Sequence, residues 1–118
     1  MDESALATLE YLLDQGFSVI MEKIFYDPFI IPFAVNMAEK KNIKVVIFQI
    51  KCSLRELQER DRIRPGVKEG CRKRMGDEKI KDIYEHLEET VFPNAIILDT
   101  EHLSIKDCVD KIMQDLNK

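Results

Sequence analysis

Short apolar runs that alternate with longer amphipathic segments are the feature that most constrains the fold of this chain. The runs FSVIM, IKVVIFQI and AIIL, at 17–21, 43–50 and 95–98, are rich in β-branched residues. Runs of this kind indicate strands that are buried on both faces, as in parallel sheets. Because helical segments separate them, the sequence predicts the order αβαβααβα. The expected fold is α/β, a three-layer sandwich with a three-stranded parallel sheet and strands near 17–22, 43–50 and 95–98.

Local signals mark the first two helices. Leucines at helical spacing predict a helix over residues 2–15, and Gly16 supplies its C-terminal stop. Asp27 as N-cap and Pro28 at the first helical position predict the start of a second helix, which runs to about residue 41.

Similar signals mark the helices of the second half. Ser53 with Glu56 forms a capping box, S-x-x-E, which predicts a helix start. A further amphipathic helix is expected over 77–90, and Ser104 with Asp107 caps the last one. The inner face predicted for that last helix consists of Ile105, Val109, Ile112, Met113 and Leu116.

Length and composition indicate one globular domain over residues 1–118, without a membrane span. Hydrophobic residues make up 45% of the chain and charged residues 34%. No apolar run approaches the ~20 residues that cross a bilayer. The acidic start MDESALATLEY does not have the pattern of a signal peptide, and the three cysteines form no C-x-x-C pair. The sequence therefore predicts a cytoplasmic protein.

Positive charge is concentrated in one segment, residues 55–74, of a chain whose net charge is −4. The segment contains eight Arg or Lys residues and four Asp or Glu residues. Leu57, Arg60 and Arg64 lie at i, i+3 and i+7, on one stripe of the helix. Charge placed in this way serves an anionic ligand or an acidic partner, or it forms an ordinary solvated surface. The sequence leaves these alternatives open.

The segment from about 60 to 76 has the composition of a lid. Pro65 and three glycines punctuate it, so we expect 65–76 to be the least ordered internal segment. Glu22 lies at the carboxyl end of the first predicted strand, where open α/β sheets bind ligands. An ion pair with Lys23 or with a lid cation is the alternative role for this carboxylate.

Three motifs follow one another along the chain. They are VIMEKIF at 19–25, R-D-x-x-R-P-G…M-G-D-E-x-I-x-x-x-Y at 60–84, and ILDTEHLS at 97–104. In order and spacing they resemble motifs of small P-loop kinases, the group of polynucleotide kinase and zeta-toxin-like kinases. In that group the motifs correspond to a strand ending in a carboxylate, the lid arginines, and the strand and loop near adenine. The resemblance covers nearly the whole chain and implies an incomplete P-loop kinase-like fold.

The resemblance also implies an ATP-dependent phosphotransferase that uses Mg²⁺. Glu22 matches the carboxylate that acts near the magnesium ion, which makes it a catalytic and a metal-binding candidate. Arg64 matches the lid arginine that offsets charge on the transferred phosphoryl group, a catalytic role. Arg60, Asp99 and Thr100 match the residues beside the adenine and the phosphates.

The family's phosphate loop, G-x-x-x-x-G-K-[ST], does not occur in this sequence. The resemblance implies that the loop and its strand would precede Met1, so we expect the chain alone to be inactive or weakly active. Without that strand, 17–22 and 43–50 should pair directly, or a second copy or a partner chain should complete the sheet. The expected partners are a nucleotide and a small-molecule or nucleic-acid 5′-hydroxyl acceptor. The alternative is a non-enzymatic binding module in which 55–74 holds nucleic acid or an acidic protein.

Overall fold

The computed structural model describes residues 2–22, 30–89 and 94–118. These residues form α1 (Asp2–Asp14), α2 (Ile30–Lys40), β1 (Phe48–Lys51), α3 (Leu54–Arg62), α4 (Asp77–Glu88), β2 (Ile96–Asp99) and α5 (Ile105–Leu116). A short 3₁₀ helix, Val67–Glu69, lies between α3 and α4. The chain divides into two compact units, residues 1–45 and 46–118. The single domain over 1–118 stays a prediction.

Both helices of the first unit end where a residue with positive φ follows them. Gly16 has φ of 87°, and beyond it the N–H of Phe17 donates to the Leu12 carbonyl at 3.1 Å. After α2, Asn42 has φ of 57° and takes the same role. Glycine and asparagine tolerate this left-handed conformation better than other residues do. The predicted first helix and its stop at Gly16 are therefore confirmed.

Contacts between α1 and α2 organise the first unit. Its buried apolar residues are Leu9, Ile30 and Ala38. The Asp14 carboxylate at the end of α1 pairs with Lys41 just after α2, and this hydrogen bond raises the pKa of Lys41 above its ordinary value. The helix start that Asp27 and Pro28 predict lies outside the described residues.

The strand predicted at 17–22 is wrong. Residues 17–22 form neither helix nor strand after α1 ends, and the side chains of Phe17 and Ile20 are 61% and 95% exposed. A strand needs backbone partners as well as an apolar sequence, and a five-residue apolar run does not specify its partner. The premise that Glu22 ends a buried strand falls with this strand.

Across the described ranges the sheet has two strands, so the predicted three-stranded, three-layer sandwich of an incomplete P-loop kinase-like fold is also wrong. The strands β1 and β2 are parallel, with Phe48 opposite Ile96 and Lys51 opposite Asp99. Five helices accompany this small sheet, which makes the described part of the chain mainly helical. β1 takes up only the end of the predicted strand at 43–50, and it pairs with β2 rather than with 17–22.

Side-chain caps fix the starts of α3 and α5 as the sequence predicts. The Ser53 hydroxyl accepts the N–H of Glu56 at 3.2 Å, and Ser104 and Asp107 form a complete capping box. At Ser53 the box is only half formed, because its own N–H donates to the Glu101 carboxylate at 3.2 Å instead of to Glu56. A residue from beyond β2 thus completes the cap of α3 and ties the two elements together.

The predicted inner face of α5 is mostly exposed. Ile105 is 87% exposed, and Val109, Met113 and Leu116 are each about half exposed. The interior of the second unit depends instead on Leu98 and Asp61, which are 1% and 2% exposed. In the part of the chain that the structure describes, no helix has the length and apolar character that crossing a membrane requires.

Candidate functional site

Arg60 on α3 and Thr100 after β2 contact each other directly. Two guanidinium nitrogens of Arg60 donate to Thr100, one to its hydroxyl and one to its carbonyl, each at 3.0 Å. Thr100 is in turn anchored to the sheet, because its N–H donates to the Lys51 carbonyl at 2.9 Å. Two of the three residues predicted beside a nucleotide base are therefore neighbours, although they are 40 positions apart in sequence.

The donor edge of Arg60 is largely occupied. Its Nε donates to the Glu56 carboxylate at 3.1 Å, in addition to the two bonds to Thr100. The side chain nevertheless stays 41% exposed. A guanidinium whose edge is held in this way offers its planar face and its charge to a ligand, rather than further directed hydrogen bonds.

Asp99, the third of these residues, organises the turn that follows β2. Its carboxylate accepts the N–H of Glu101 at 3.0 Å, and its other oxygen lies 2.6 Å from Nδ1 of His102. The hydrogen bond with His102 lowers the pKa of Asp99, and the same bond raises the pKa of His102 above its ordinary value. Asp99 thus shapes the loop beside Thr100 and does not point to Arg60.

The same turn brings together three groups that could ligate a cation. One ligand atom from each of Asp99, Glu101 and His102 lies within 4.8 Å of the others. Imidazole and carboxylate groups together suit a first-row transition metal better than they suit Mg²⁺. Of these three residues the sequence points only to Asp99, and to a different role beside the adenine. The Asp99–His102 and Glu101–Ser53 hydrogen bonds already account for the positions of all three side chains.

Arg64, the predicted lid arginine, lies beside the buried Asp61. Its guanidinium is 3.7 Å from the Asp61 carboxylate, and its side chain is 31% exposed. The Arg64 carbonyl accepts a hydrogen bond from Nε of Arg74 at 2.8 Å. Arg64 therefore lies just after α3, in a cluster of polar groups where the loop of residues 65–76 begins. We call residues 65–76 the basic loop.

Asp61 is the residue that sequence reasoning missed. Its carboxylate accepts the N–H groups of Met75 and Gly76, each at 2.9 Å, across the whole loop. These two hydrogen bonds, together with the charges of Arg64 and Arg74, hold the pKa of Asp61 below its usual value. The available signal was its place in R-D-x-x-R-P-G, directly before a loop that returns through Met75 and Gly76 to a new helix.

Glu22 belongs to the first unit, where it is exposed at the end of a segment without regular structure. Arg60, Arg64, Asp99 and Thr100 all belong to the second unit. A joint role for Glu22 with these residues, and its binding of Mg²⁺, stay predictions.

An open polar groove runs beside this site. It is lined by Arg55, Glu56, Glu59, Arg62 and Glu101. Arg62 is already paired there, at 3.3 Å from Glu59 and 2.6 Å from Asp77. Three carboxylates against two guanidinium groups make this groove a poor site for a polyphosphate.

Comparisons with protein-family models, with curated proteins and with solved structures found no match to this chain. The relationship to small P-loop kinases therefore stays a prediction from the sequence motifs.

Proposed function

We propose that this chain is a nucleotide-binding, phosphotransferase-like domain that supplies the base-contacting side of an ATP site. The observation that carries the proposal is the double hydrogen bond from Arg60 to Thr100. It holds a guanidinium group beside the end of a parallel strand, an edge where α/β proteins commonly bind ligands. The occupied donor edge leaves the planar face of Arg60 for stacking on a purine.

The remaining residues would divide the work as follows. Arg64 would offset negative charge on the transferred phosphoryl group, and Asp99 would keep the turn that carries Thr100 in place. Glu22 belongs to the first unit and carries no part of this argument, so its binding of Mg²⁺ stays a prediction from the sequence. ATP would supply the phosphoryl group, and the acceptor would be a small molecule or a nucleic-acid 5′-hydroxyl. Because the chain has no G-x-x-x-x-G-K-[ST] loop, we expect weak binding and little or no turnover by the chain alone.

Binding of ATP to the full chain tests the proposal. We expect ATP to shift the NMR signals of Thr100 and of the Arg60 side chain, with a dissociation constant in the millimolar range. Arg60→Ala should abolish these shifts, whereas Arg62→Ala should keep them. Arg62 is the matched control because it lies on the same helix and pairs with Glu59 and Asp77 instead of Thr100.

Turnover is the second measurement, made with nucleotide, sugar and nucleic-acid 5′-hydroxyl acceptors. We expect no phosphate transfer above background. Robust transfer by the 118-residue chain would contradict the proposed need for a phosphate loop. The absence of any ATP-dependent shift at Arg60 and Thr100 would contradict the nucleotide site itself.

A non-enzymatic binding module is the second candidate function, and the loop between α3 and α4 favours it. Lys68, Arg72 and Lys73 are exposed there and form no ion pair with any described residue. Unpaired cations on one loop suit a nucleic acid or an acidic protein surface. Steep salt dependence of RNA binding, lost when these three residues are changed to glutamine, would favour this candidate over the phosphotransferase.

A further inference from the structure

The loop at 65–76 is fastened to α3 at its returning end. It leaves α3 through Arg64 and Pro65 and returns to the start of α4 at Gly76. The Asp61 carboxylate accepts one N–H from Met75 and one from Gly76, so both carboxylate oxygens are used at 2.9 Å. These bonds join positions 14 and 15 residues apart, which closes the segment into a loop.

Asp61 is suited to this task by its burial and by the charges around it. It is 2% exposed, although aspartate is almost never fully buried without partners. Arg64 lies 3.7 Å away, and Arg74 reaches back to the Arg64 carbonyl at 2.8 Å. Two backbone donors and two guanidinium groups thus compensate the buried negative charge, and each of them lies in or next to the loop.

We infer that Asp61 is the latch of the basic loop: its carboxylate fixes the returning end of 65–76 to α3 and positions Arg64 at the base of that loop. The loop is then held in place under native conditions and does not move freely as a lid would. The cationic side chains of Lys68, Arg72 and Lys73 therefore project from a loop whose two ends are both fixed. This inference does not depend on the proposed nucleotide function, because the contacts that carry it all lie within the chain.

Amide hydrogen exchange of the wild-type chain, measured residue by residue by NMR, is the first test. The N–H groups of Met75 and Gly76 should exchange about 10- to 100-fold more slowly than those of Arg72 and Lys73, after correction for intrinsic rates. Arg72 and Lys73 are the comparison because their N–H groups have no hydrogen bond to a described residue. Equal rates at all four positions would overturn the inference without any mutation.

Substitution at Asp61 is the second test. Asp61→Asn keeps one acceptor oxygen, so exchange at Met75 and Gly76 should be intermediate, and Asp61→Ala should remove the protection. The N–H of Ile96, which donates to the Ile47 carbonyl at 2.8 Å, reports on the unit as a whole and should stay protected in both variants, even where lower stability accelerates its exchange. Exchange at Met75 and Gly76 that stays slower than at Arg72 and Lys73 in Asp61→Ala, or complete loss of protection at Ile96 as well, would overturn the inference.

A matched control separates the latch from the ion pair beside it. Arg62 on α3 pairs with Asp77 on α4 at 2.6 Å, so this pair also joins the two helices. Both side chains are about half exposed, and Asp77→Asn should change the exchange of Met75 and Gly76 by about fivefold or less. If Asp77→Asn releases the loop as much as Asp61→Ala does, the loop depends on the helix pair as a whole and the assignment to Asp61 is wrong.

Discussion

Two loops of the second unit each depend on one aspartate, and the two aspartates work at different distances along the chain. Asp99 accepts the N–H of Glu101, two positions ahead, and its side chain is 47% exposed. Asp61 accepts N–H groups 14 and 15 positions ahead, and its side chain is 3% exposed. The first arrangement is a local turn that water can replace in part. The second closes a long segment and keeps its charge away from water.

This difference shows which interactions stabilise each loop. At Asp99 the backbone is already constrained by the end of β2, so little conformational entropy remains to be lost. At Asp61 the intervening residues include Gly66 and Gly70, and the segment ends at Gly76; glycines have large conformational freedom in the unfolded chain. Closing that segment costs conformational entropy, which strong interactions must offset. These interactions are two charge-assisted hydrogen bonds to a carboxylate that is almost completely shielded from water.

Replacement of each aspartate by alanine gives the sharpest test of this comparison and the largest expected effect. Asp61→Ala leaves two backbone donors without their acceptor, so we expect the melting temperature to fall by at least roughly 8 °C. Asp99→Ala should lower it by less than half of that amount, because water can take over the exposed side of the turn. Thermal unfolding followed by circular dichroism measures both. Equal effects would remove the distinction between the two loops.

The second-largest expected effect concerns the hydrogen bonds between Arg60 on α3 and Thr100 in the turn after β2. Arg60→Ala removes both bonds to Thr100, and we expect it to lower the melting temperature by roughly 4 °C. Thr100→Val removes only the hydroxyl acceptor and keeps the carbonyl, so its effect should be smaller than that of Arg60→Ala. Thermal unfolding of the two variants and of Arg62→Ala gives the comparison. A loss from Arg62→Ala as large as that from Arg60→Ala would mean that any arginine on α3 contributes equally.

The pH at which the Asp61 carboxylate becomes protonated and no longer holds the loop can be measured as well. The hydrogen bonds from Met75 and Gly76 lower the pKa of Asp61, whose ordinary value is 3.8. A group with a lowered folded pKa stabilises the fold above its unfolded value, and that contribution is lost as the pH falls through the folded pKa. We therefore expect the amide shifts of Met75 and Gly76 to titrate with a midpoint below 3.8. A midpoint at or above 3.8 for both signals would contradict the latch geometry.

Features with a local cause could be predicted from the sequence. Ser53 and Ser104 mark the starts of α3 and α5 because each hydroxyl accepts an N–H group from the first turn of its own helix. The strand predicted from the apolar run at 17–22 is wrong. A strand also needs a backbone partner elsewhere in the chain, and the run itself does not specify one. The exposed face of α5 is a similar case: the helical period of Ile105 and Val109 predicts the helix but not what covers it.

The candidate site residues show the same contrast between local signals and contacts with distant parts of the chain. The predicted stripe of Leu57, Arg60 and Arg64 drew attention to two arginines that both form specific contacts, although α3 ends at Arg62 and Arg64 lies beyond it. Thr100 could not be derived from spacing, because its contact with Arg60 spans 40 positions. Asp61 lies only three positions from Arg64, but its contacts with the N–H groups of Met75 and Gly76 depend on how the loop returns. Thr100 was named only through the family resemblance, and Asp61 was not named at all.

The smallest expected effect concerns the exposed member of the comparison, the Asp99–His102 pair. Its hydrogen bond raises the pKa of His102 above the ordinary 6.5 and lowers the pKa of Asp99 below the ordinary 3.8. The raised histidine stabilises the fold fully below pH 6.5, and this contribution is lost as the pH rises through its folded pKa. The lowered aspartate stabilises the fold above pH 3.8, and this contribution is lost as the pH falls further. The pair should therefore contribute most near pH 5.

Comparison of the wild-type chain with His102→Gln across pH, with EDTA present to exclude metal binding, measures this contribution. We expect a difference in melting temperature of roughly 2 °C or less at pH 5, because the pair is exposed, and a smaller difference at pH 9, where the neutral imidazole can keep only a weaker hydrogen bond to Asp99. The control is His86→Gln, since His86 lies on a different element, α4. A difference at pH 9 as large as that at pH 5 would mean that His102 acts through packing and not through its charge. In that case the Asp99 turn would resemble the Asp61 loop in depending on burial, and the contrast between the two would be weaker than the contacts indicate.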